Sequence, residues 1–198
     1  MMALYGEHFL PDEVTVALHA LEDRTVALEW PVIRRVLERE LGRQRLAELD
    51  IDPVPIGAAS LGQVHPARRL ADDRALCLKV QYPGVADSID ADIDAVVRML
   101  ELGRMVAPTE EFRSWLEEVR EMLHREVDYT LEAAKTQLFH ERLKRDPRFV
   151  VPEVVPEYST AHVLATSFEQ GYAVTSADAE ALPLARRNAL GRAFLELF

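Results

Sequence analysis

The sequence predicts an α+β fold in which helices precede and elaborate a small antiparallel sheet. Two changes in the spacing of apolar residues support this prediction. Apolar residues recur at helical spacing through residues 12–48, alternate with polar ones within residues 51–82, and return to helical spacing after Gly84. With 198 residues, 48% of them apolar, the chain can bury one core with a small additional helical layer.

Two amphipathic helices are predicted before the strands. The apolar stripe of the first comprises Val14, Leu18 and Leu21. The second follows Trp30-Pro31, because proline suits the first turn of a helix. Its stripe comprises Val32, Val36, Leu37 and Leu41, and Gly42 is a stop signal.

Two strands joined by a polar connection at residues 70–74 are predicted within residues 51–82. In the second strand, alternation places Leu76, Leu78, Val80 and Tyr82 on one face and Ala75, Cys77, Lys79 and Gln81 on the other. Lys79 therefore shares a face with small residues, as a cleft for a flat base and its phosphates requires. The alternative is a lysine that extends from an ordinary edge strand into solvent.

A glycine-containing loop precedes this lysine. Residues 57–64 read G-A-A-S-L-G-Q-V, which is similar to the phosphate loop of protein kinases. Gly57, Gly62 and Val64 fit that pattern, while Ala59 replaces its second glycine. The segment L-C-L-K that ends at Lys79 stands where kinases show V-A-I-K. Together the loop and the lysine predict a nucleotide-binding hairpin.

The helix predicted after Gly84 carries carboxylates that allow a second interpretation. Residues Asp90, Asp92, Asp94 and Glu101 fall at positions 1, 3, 5 and 12 of a calcium-binding loop. Ala95 stands where that loop needs glycine, and apolar residues recur at helical spacing through the segment. We therefore predict an amphipathic helix with acidic first turns rather than a calcium site.

The longest helical pattern covers residues 110–144. Its stripe comprises Phe112, Leu116, Val119, Leu123, Val127, Leu131 and Leu138, and Pro147 and Pro152 end it. Extended segments are predicted around residues 153–156 and 161–168, and a last amphipathic helix over residues 183–198.

Composition excludes several classes of function. A formal charge of −11 argues against a nucleic-acid partner. No apolar run approaches the roughly 20 residues of a membrane span. The first residues do not show the basic region followed by an apolar stretch that is typical of a signal peptide. One cysteine cannot form an intrachain disulfide, and the six histidines lack metal-ligand spacing. We expect a soluble, cytoplasmic chain without a metal site of its own, although peripheral membrane association stays open.

Three motifs carry a resemblance to a known family. They are Pro55–His65 (P-I-G-A-A-S-L-G-Q-V-H), Lys79–Val85 (K-V-Q-Y-P-G-V) and Glu126–Ala134 (E-V-D-Y-T-L-E-A-A). These segments closely resemble the UbiB/AarF family of atypical kinase-like proteins. Leu10–Val14 is similar to the family's N-terminal segment, and Val151-Pro152 and Thr160–Leu164 are similar to the strands before its hinge.

The resemblance implies a protein-kinase-like N-lobe, a small antiparallel sheet with an αC-like helix. Residues 1–50 would be a helical N-terminal extension, and residues 51–175 the N-lobe with a helical insert at about 86–106. Residues 176–198 would begin a helical C-lobe that is otherwise absent from this sequence.

The resemblance also implies a site for ATP or ADP. The residues at the corresponding positions are Gly57, Ala58, Ala59, Ser60, Gly62, Val64, Cys77, Lys79, Glu132, Phe168 and Glu169, although relatives usually show alanine in place of Gly57. Among these, Glu132 matches the glutamate that pairs with the strand lysine, and Phe168-Glu169 begins the hinge. Glu132 could instead be a solvated helix carboxylate, and Ser60 could cap a turn rather than contact phosphate. Cys77 matches an adenine-facing alanine and is interpreted as a packing residue.

Glu126 and Asp128 match the family's E-x-D motif. On one continuous helix their side chains would point about 200° apart, so they could not share one ion. In relatives this motif lies near the nucleotide and contacts a K-x-G-Q segment, which this sequence lacks. The alternative is a plain i,i+4 pair between His124 and Asp128.

Two functions are consistent with these observations. The first is the nucleotide-binding lobe of a UbiB-like atypical kinase or ATPase linked by resemblance to ubiquinone biosynthesis. No catalytic loop or metal-binding aspartate is matched, so we expect no catalytic residue within this chain and a role for Mg²⁺ only with the missing C-lobe. The second is a noncatalytic module or truncated fragment that docks on a separate C-lobe or partner protein. Its candidate contact residues are Leu184, Leu190, Phe194, Leu197 and Phe198.

Overall fold

The computed structural model describes residues 27–59, 61–103 and 109–197. The predicted stripe at Val14, Leu18 and Leu21, the matched segment Leu10–Val14, Ser60 and Phe198 lie outside the described residues. The elements in chain order are α1 (Trp30–Leu46), β1 (Leu49–Ile51), β2 (Gly57–Ala59), β3 (Gly62–Arg69), β4 (Arg74–Gln81), α2 (Val85–Leu102), α3 (Glu110–Glu126), α4 (Tyr129–Leu143), a 3-10 turn (Pro156–Tyr158), β5 (Val163–Ser167), α5 (Ala177–Glu180) and α6 (Leu184–Leu195).

The five strands form one antiparallel sheet, which confirms the predicted α+β class. Strands β3, β4 and β5 lie side by side, while β1 and β2 pair with opposite ends of β3. In the β3–β4 hairpin, Val64 lies opposite Lys79. On the other side of β4, Lys79 lies opposite Leu164.

Helix α1 covers one face of the sheet. The predicted alternation in β4 is confirmed, since Leu76, Leu78 and Val80 are completely buried in this core. The α1 side chains that pack against them are Ile33, Val36, Leu37 and Leu41. Ile33 takes the buried position predicted for Val32, which stays half-buried. Gly42 kinks the helix with a φ of 72° instead of ending it, because the last turn resumes as far as Leu46.

A buried polar network ties the segment before α1 to the sheet. The Gln63 side chain accepts a hydrogen bond from the Leu28 N–H at 2.7 Å and donates to the Leu28 carbonyl at 3.2 Å. The same amide donates to His65 Nε2, and His65 Nδ1 donates to the Asp52 carbonyl, each at 2.8 Å. Strand β3 therefore holds two distant segments of chain through polar side chains that are themselves buried.

Helices α2 and α3 form an antiparallel pair. Arg120 on α3 donates to Asp90 at 2.7 Å and to Asp94 at 2.8 Å on α2. These carboxylates lie on a regular helix, which confirms the helical interpretation over the calcium loop. His124 lies 3.1 Å from Asp90, so the alternative pairing of His124 with Asp128 is wrong.

The continuous helix predicted over residues 110–144 is wrong. Helix α3 ends at Glu126 and α4 begins at Tyr129, with Asp128 as the N-cap. Asp128 Oδ1 accepts from the N–H groups of Thr130 and Leu131, which satisfies donors at the new helix start. The apolar period continues past the break without marking a buried face of α4, since Leu131 is half-buried and Leu138 is 48% exposed.

The last helix of the described chain, α6, is more exposed to solvent than the helices before it. Helix α6 buries none of its residues, and Leu184 and Phe194 are 64% and 60% exposed. Arg148 Nη1 and Glu196 Oε2, 2.5 Å apart, connect the chain after α6 to the loop before β5. Among the described helices, none combines the length and the apolar character that crossing a bilayer demands.

Candidate functional site

Lys79 lies in the second half of β4, on the face that α1 does not cover. Its Nζ is 2.5 Å from Glu132 Oε2 on α4, and the two side chains are 32% and 39% exposed. The sequence-predicted pair is therefore formed. Because both groups keep contact with solvent, the lysine can exchange part of this interaction for an incoming anion.

The start of α4 is fastened to the sheet, which fixes where Glu132 points. Gln81 at the end of β4 donates its side-chain amide to the Val127 carbonyl at 2.8 Å. The Tyr129 N–H donates to the Ala161 carbonyl just before β5, at 3.3 Å. Glu132 follows one turn later, where a carboxylate also suits the positive end of the helix dipole.

The predicted phosphate loop is the β2–β3 hairpin. Gly57 pairs with Val64, and Ala59 pairs with Gly62. The Leu61 carbonyl accepts a hydrogen bond from the Tyr82 N–H at 3.0 Å. The Leu61 side chain packs against the apolar cluster of Ile89, Ile93 and Val127. The hairpin tip is thereby attached to both the sheet and the α2–α3 pair.

Gly62 is the one loop glycine with no room for a side chain. A Cβ there would lie 2.6 Å from the Val80 carbonyl oxygen and 2.7 Å from Tyr129 Oη, whereas a Cβ at Gly57 would meet nothing within 4 Å. We expect Gly62→Ala to lower the free energy of unfolding by about 1–3 kcal/mol, since backbone must move to admit the methyl group. Urea denaturation of Gly57→Ala provides the matched control, and equal effects of the two substitutions would contradict this assignment.

An open cavity of about 640 Å³ lies beside the ion pair. Of the predicted site residues, Val64, Cys77, Lys79 and Glu132 line it, whereas Gly57, Ala58, Gly62, Phe168 and Glu169 do not. Sequence reasoning missed Leu164 and Thr166 of β5, which line it beside β4. Only the strand register, which places Thr166 opposite Cys77, reveals them.

The far wall of the cavity is mainly apolar and carries further cations. It includes Phe139 and Leu143 of α4, residues 149–152 and Leu197. Lys135 and Arg148 also line it, and Arg148 is ion-paired with Asp146 and Glu196. An apolar cavity with convergent cations suits a flat, uncharged ring that bears an anionic group.

The predicted hinge residues lie at the end of β5. The Phe168 N–H donates to the Ala75 carbonyl at 3.1 Å, which continues the strand pairing. The Phe168 ring lines a separate groove with Ile51 and Ala67, and Glu169 accepts from Ser167 Oγ at 2.7 Å. Neither side chain faces the cavity.

Cys77 has the environment of a packing residue. Partial burial raises the pKa of its thiol, and the nearby Glu169 carboxylate raises it further. The thiol therefore stays protonated at neutral pH, and it is a poor nucleophile in that form.

The acidic pair of the E-x-D motif is divided by the break between α3 and α4. Glu126 is the exposed last residue of α3, while Asp128 caps α4. The description of the pair as two carboxylates on one helix is therefore wrong. The described residues contain no group of three or more His, Cys, Asp or Glu side chains that could hold a metal ion.

The Asp128 cap makes a pH-dependent contribution to stability. Hydrogen bonds from the Thr130 hydroxyl, and then from the Leu131 and Thr130 N–H groups, lower the pKa of Asp128.

We expect Asp128→Ala to cost about 1 kcal/mol of unfolding free energy. Because the folded pKa is the lower one, the difference from wild type is complete above the unfolded pKa of about 3.9 and shrinks as pH falls below it. Urea denaturation at several pH values measures this, with the exposed Asp92→Ala as control; a gap independent of pH would contradict the capping role.

Comparisons with known proteins extend over most of the chain. A family model described as the ABC1 atypical kinase-like domain matches residues 20–198. Atypical kinase COQ8, mitochondrial, of Saccharomyces cerevisiae is 31% identical over 172 residues, which cover 86% of this chain and 34% of that protein. Atypical kinase COQ8B, mitochondrial, of Danio rerio is 40% identical over 143 residues, which cover 70% of this chain and 22% of that protein.

A solved structure matches as well. The complex of Rv3197 with erythromycin, from Mycobacterium tuberculosis, has a TM-score of 0.61 and 30% identity, and the match covers 86% of this chain and 44% of that one. The chain thus spans 34% and 22% of the length of the yeast and zebrafish relatives.

Proposed function

The chain belongs to the ABC1 atypical kinase-like family, which is the UbiB/AarF family that its motifs resemble. On this basis we propose that its sheet and α4 form a nucleotide-binding lobe. The ligand is ATP or ADP. The observation that carries the proposal is the Lys79–Glu132 ion pair, which lies at the edge of a cavity next to a glycine-containing hairpin. A strand lysine held by a helix carboxylate is the arrangement that kinases use to contact phosphates.

The proposed roles follow from position. Val64 and Cys77 pack on the base together with Leu164 and Thr166, all of which line the cavity. Lys79 contacts phosphate oxygens, and backbone N–H groups of the Gly57–Gly62 hairpin approach the same phosphates. Phe168 and Glu169 contribute backbone groups at the adenine edge, because their side chains point elsewhere.

We further propose that this chain binds nucleotide without turning it over. Phosphoryl transfer needs a metal held by carboxylates and a positioned base. Among the described residues that line the cavity, Glu132 is the one carboxylate, and it is already paired with Lys79. Mg²⁺ would be held with the help of a C-lobe, and the link to ubiquinone biosynthesis would belong to that complete assembly.

Calorimetry tests the proposal. The purified chain should bind ADP and ATP, bind adenosine more weakly because the phosphate contacts are lost, and release no phosphate from ATP with magnesium present. A folded chain that releases no heat with either nucleotide would overturn the binding role. Magnesium-dependent hydrolysis by pure protein would overturn the claim of no turnover.

A docking role is the second candidate, and the exposed apolar side chains of α6 favour it. Leu184, Leu190 and Phe194 are all exposed on this helix, while Leu197 lines the cavity. A C-lobe or partner protein that covers this helix would complete the far wall of the site. Sedimentation of the purified chain separates the two outcomes: self-association that Leu190→Gln abolishes favours docking, and a monomer at high concentration argues against an adhesive surface.

A further inference from the structure

Tyr129 lies directly beneath the lysine of the proposed site. It is the first residue of α4, it is 1% exposed, and the Lys79 Nζ lies 4.6 Å from the centre of its ring. Glu132 contacts the same ammonium at 2.5 Å. Lys79 is therefore held by a carboxylate and by an aromatic face, whose negative quadrupole attracts a cation.

The hydroxyl end of Tyr129 reaches the β2–β3 hairpin, which we call the phosphate hairpin. Tyr129 Oη lies 2.7 Å from the position a Cβ would take on Gly62, so the hydroxyl occupies the space that this glycine leaves open. Burial raises the pKa of Tyr129, and the nearby Glu132 and Glu126 raise it further. The phenol stays neutral, so it acts on Lys79 through its ring.

The backbone at the start of α4 is hydrogen-bonded to the ends of two strands. Its own N–H donates to Ala161, and the carbonyl of Val127, two residues earlier, accepts from the buried Gln81. The Tyr129 backbone therefore cannot shift without breaking contacts to two strand ends, and the buried ring packs with Val154 and Leu164. A side chain held in this way can set the distance between a lysine and a loop.

We propose that Tyr129 is a positioning residue that holds the Lys79 ammonium beneath the phosphate hairpin through its ring. The ligand that benefits is a nucleoside di- or triphosphate, and this part of the inference rests on the proposed function. The ring acts on Lys79 before any nucleotide binds, so the inference can be tested without a nucleotide. The simpler explanation is a tyrosine that only fills the core.

The first measurement is the rate at which an N-hydroxysuccinimide ester acylates Lys79 in the nucleotide-free chain, followed by mass spectrometry. The exposed Lys135 on the same helix is the internal reference. Tyr129→Phe keeps the ring and should change the Lys79 rate by less than about twofold. Tyr129→Leu removes the ring and should raise the rate about threefold or more.

Fluorinated phenylalanines at position 129 keep the shape of the ring while weakening its quadrupole, so they serve if Tyr129→Leu does not fold. The Lys79 rate should rise with each added fluorine, and the Lys135 rate should not. A Lys79 rate that is the same in the phenylalanine and trifluorophenylalanine variants overturns the proposal.

Affinity supplies the second readout. Across the fluorinated series, affinity for ADP should fall by about three- to tenfold while affinity for adenosine stays constant, since only the phosphate contact depends on Lys79. Parallel losses for both ligands would indicate a structural role and overturn the positioning role. If the acylation rates respond but wild type binds no ADP, the positioning of Lys79 stands and the proposed function fails.

Discussion

Lys79→Ala should reduce the affinity of the chain for ATP and ADP by about 10- to 100-fold, the loss expected for one charge-assisted hydrogen bond to phosphate. The variant should stay folded. The Lys79–Glu132 pair is about one-third exposed on each side, so its removal should cost no more than about 1 kcal/mol of stability. Calorimetry with ADP and a urea denaturation curve measure the two effects separately.

Lys135→Ala is the matched control for this substitution. Lys135 lines the same cavity from α4 but has no place in the predicted lysine–glutamate pair, so we expect a loss of affinity of no more than about threefold. Glu132→Gln should weaken ADP binding by less than Lys79→Ala, and the double variant should be no weaker than Lys79→Ala alone, because Glu132 acts by holding the lysine. Equal losses from Lys79→Ala and Lys135→Ala would show that general charge, not this lysine, attracts the nucleotide.

Gln63→Leu should lower the free energy of unfolding by about 2–4 kcal/mol, the largest stability effect that we predict for a polar side chain. The substitution removes both hydrogen bonds to Leu28 and the donor to His65 Nε2. Gln63 and His65 are buried, so water cannot replace the lost partner of the imidazole. The amide of Leu28 should also exchange its hydrogen faster, since the segment before α1 loses its attachment to β3.

Gln44→Leu is the control, because it makes the same chemical change on the exposed side of α1. We expect it to change stability by no more than about 0.5 kcal/mol. Equal urea midpoints for the two variants would mean that the network contributes little to the fold.

The sheet and the key lysine could be predicted because strand alternation is a local signal. Leu76, Leu78 and Val80 are buried and alternate with the half-buried Cys77 and Lys79, and the exception is Gln81, which is buried against the Val127 carbonyl. The Lys79–Glu132 pair is predicted by the family resemblance and not by the periodicity of apolar residues. The two residues are 53 positions apart, a separation that no local pattern spans.

The break between α3 and α4 could not be read from apolar spacing. Leu123, Val127 and Leu131 keep a four-residue period across it, as one helix would. The structure ends α3 there because the Val127 carbonyl accepts from Gln81, 46 residues away, and because Asp128 caps the next helix. A capping aspartate was the one local cue, and without a glutamate or glutamine three residues later it is a weak one.

The roles of Tyr129 and Thr166 also depend on long-range geometry. Tyr129 lies within the Glu126–Ala134 motif, yet its position under Lys79 and Gly62 requires the turn at Val127. Thr166 enters the cavity through the register of β5 against β4. A segment predicted only as extended carries no register, so Thr166 could not be placed beforehand.

Amide NMR spectra of the labelled chain titrated with ADP test the nucleotide-binding claim most directly. We expect saturable shifts at Val64, Cys77 and Lys79, with small changes in the separate groove beside Arg43 and Arg45 at the C-terminal end of α1. No saturable shift at these three residues, or shifts concentrated around Arg43 and Arg45, would contradict a nucleotide site between β4 and α4.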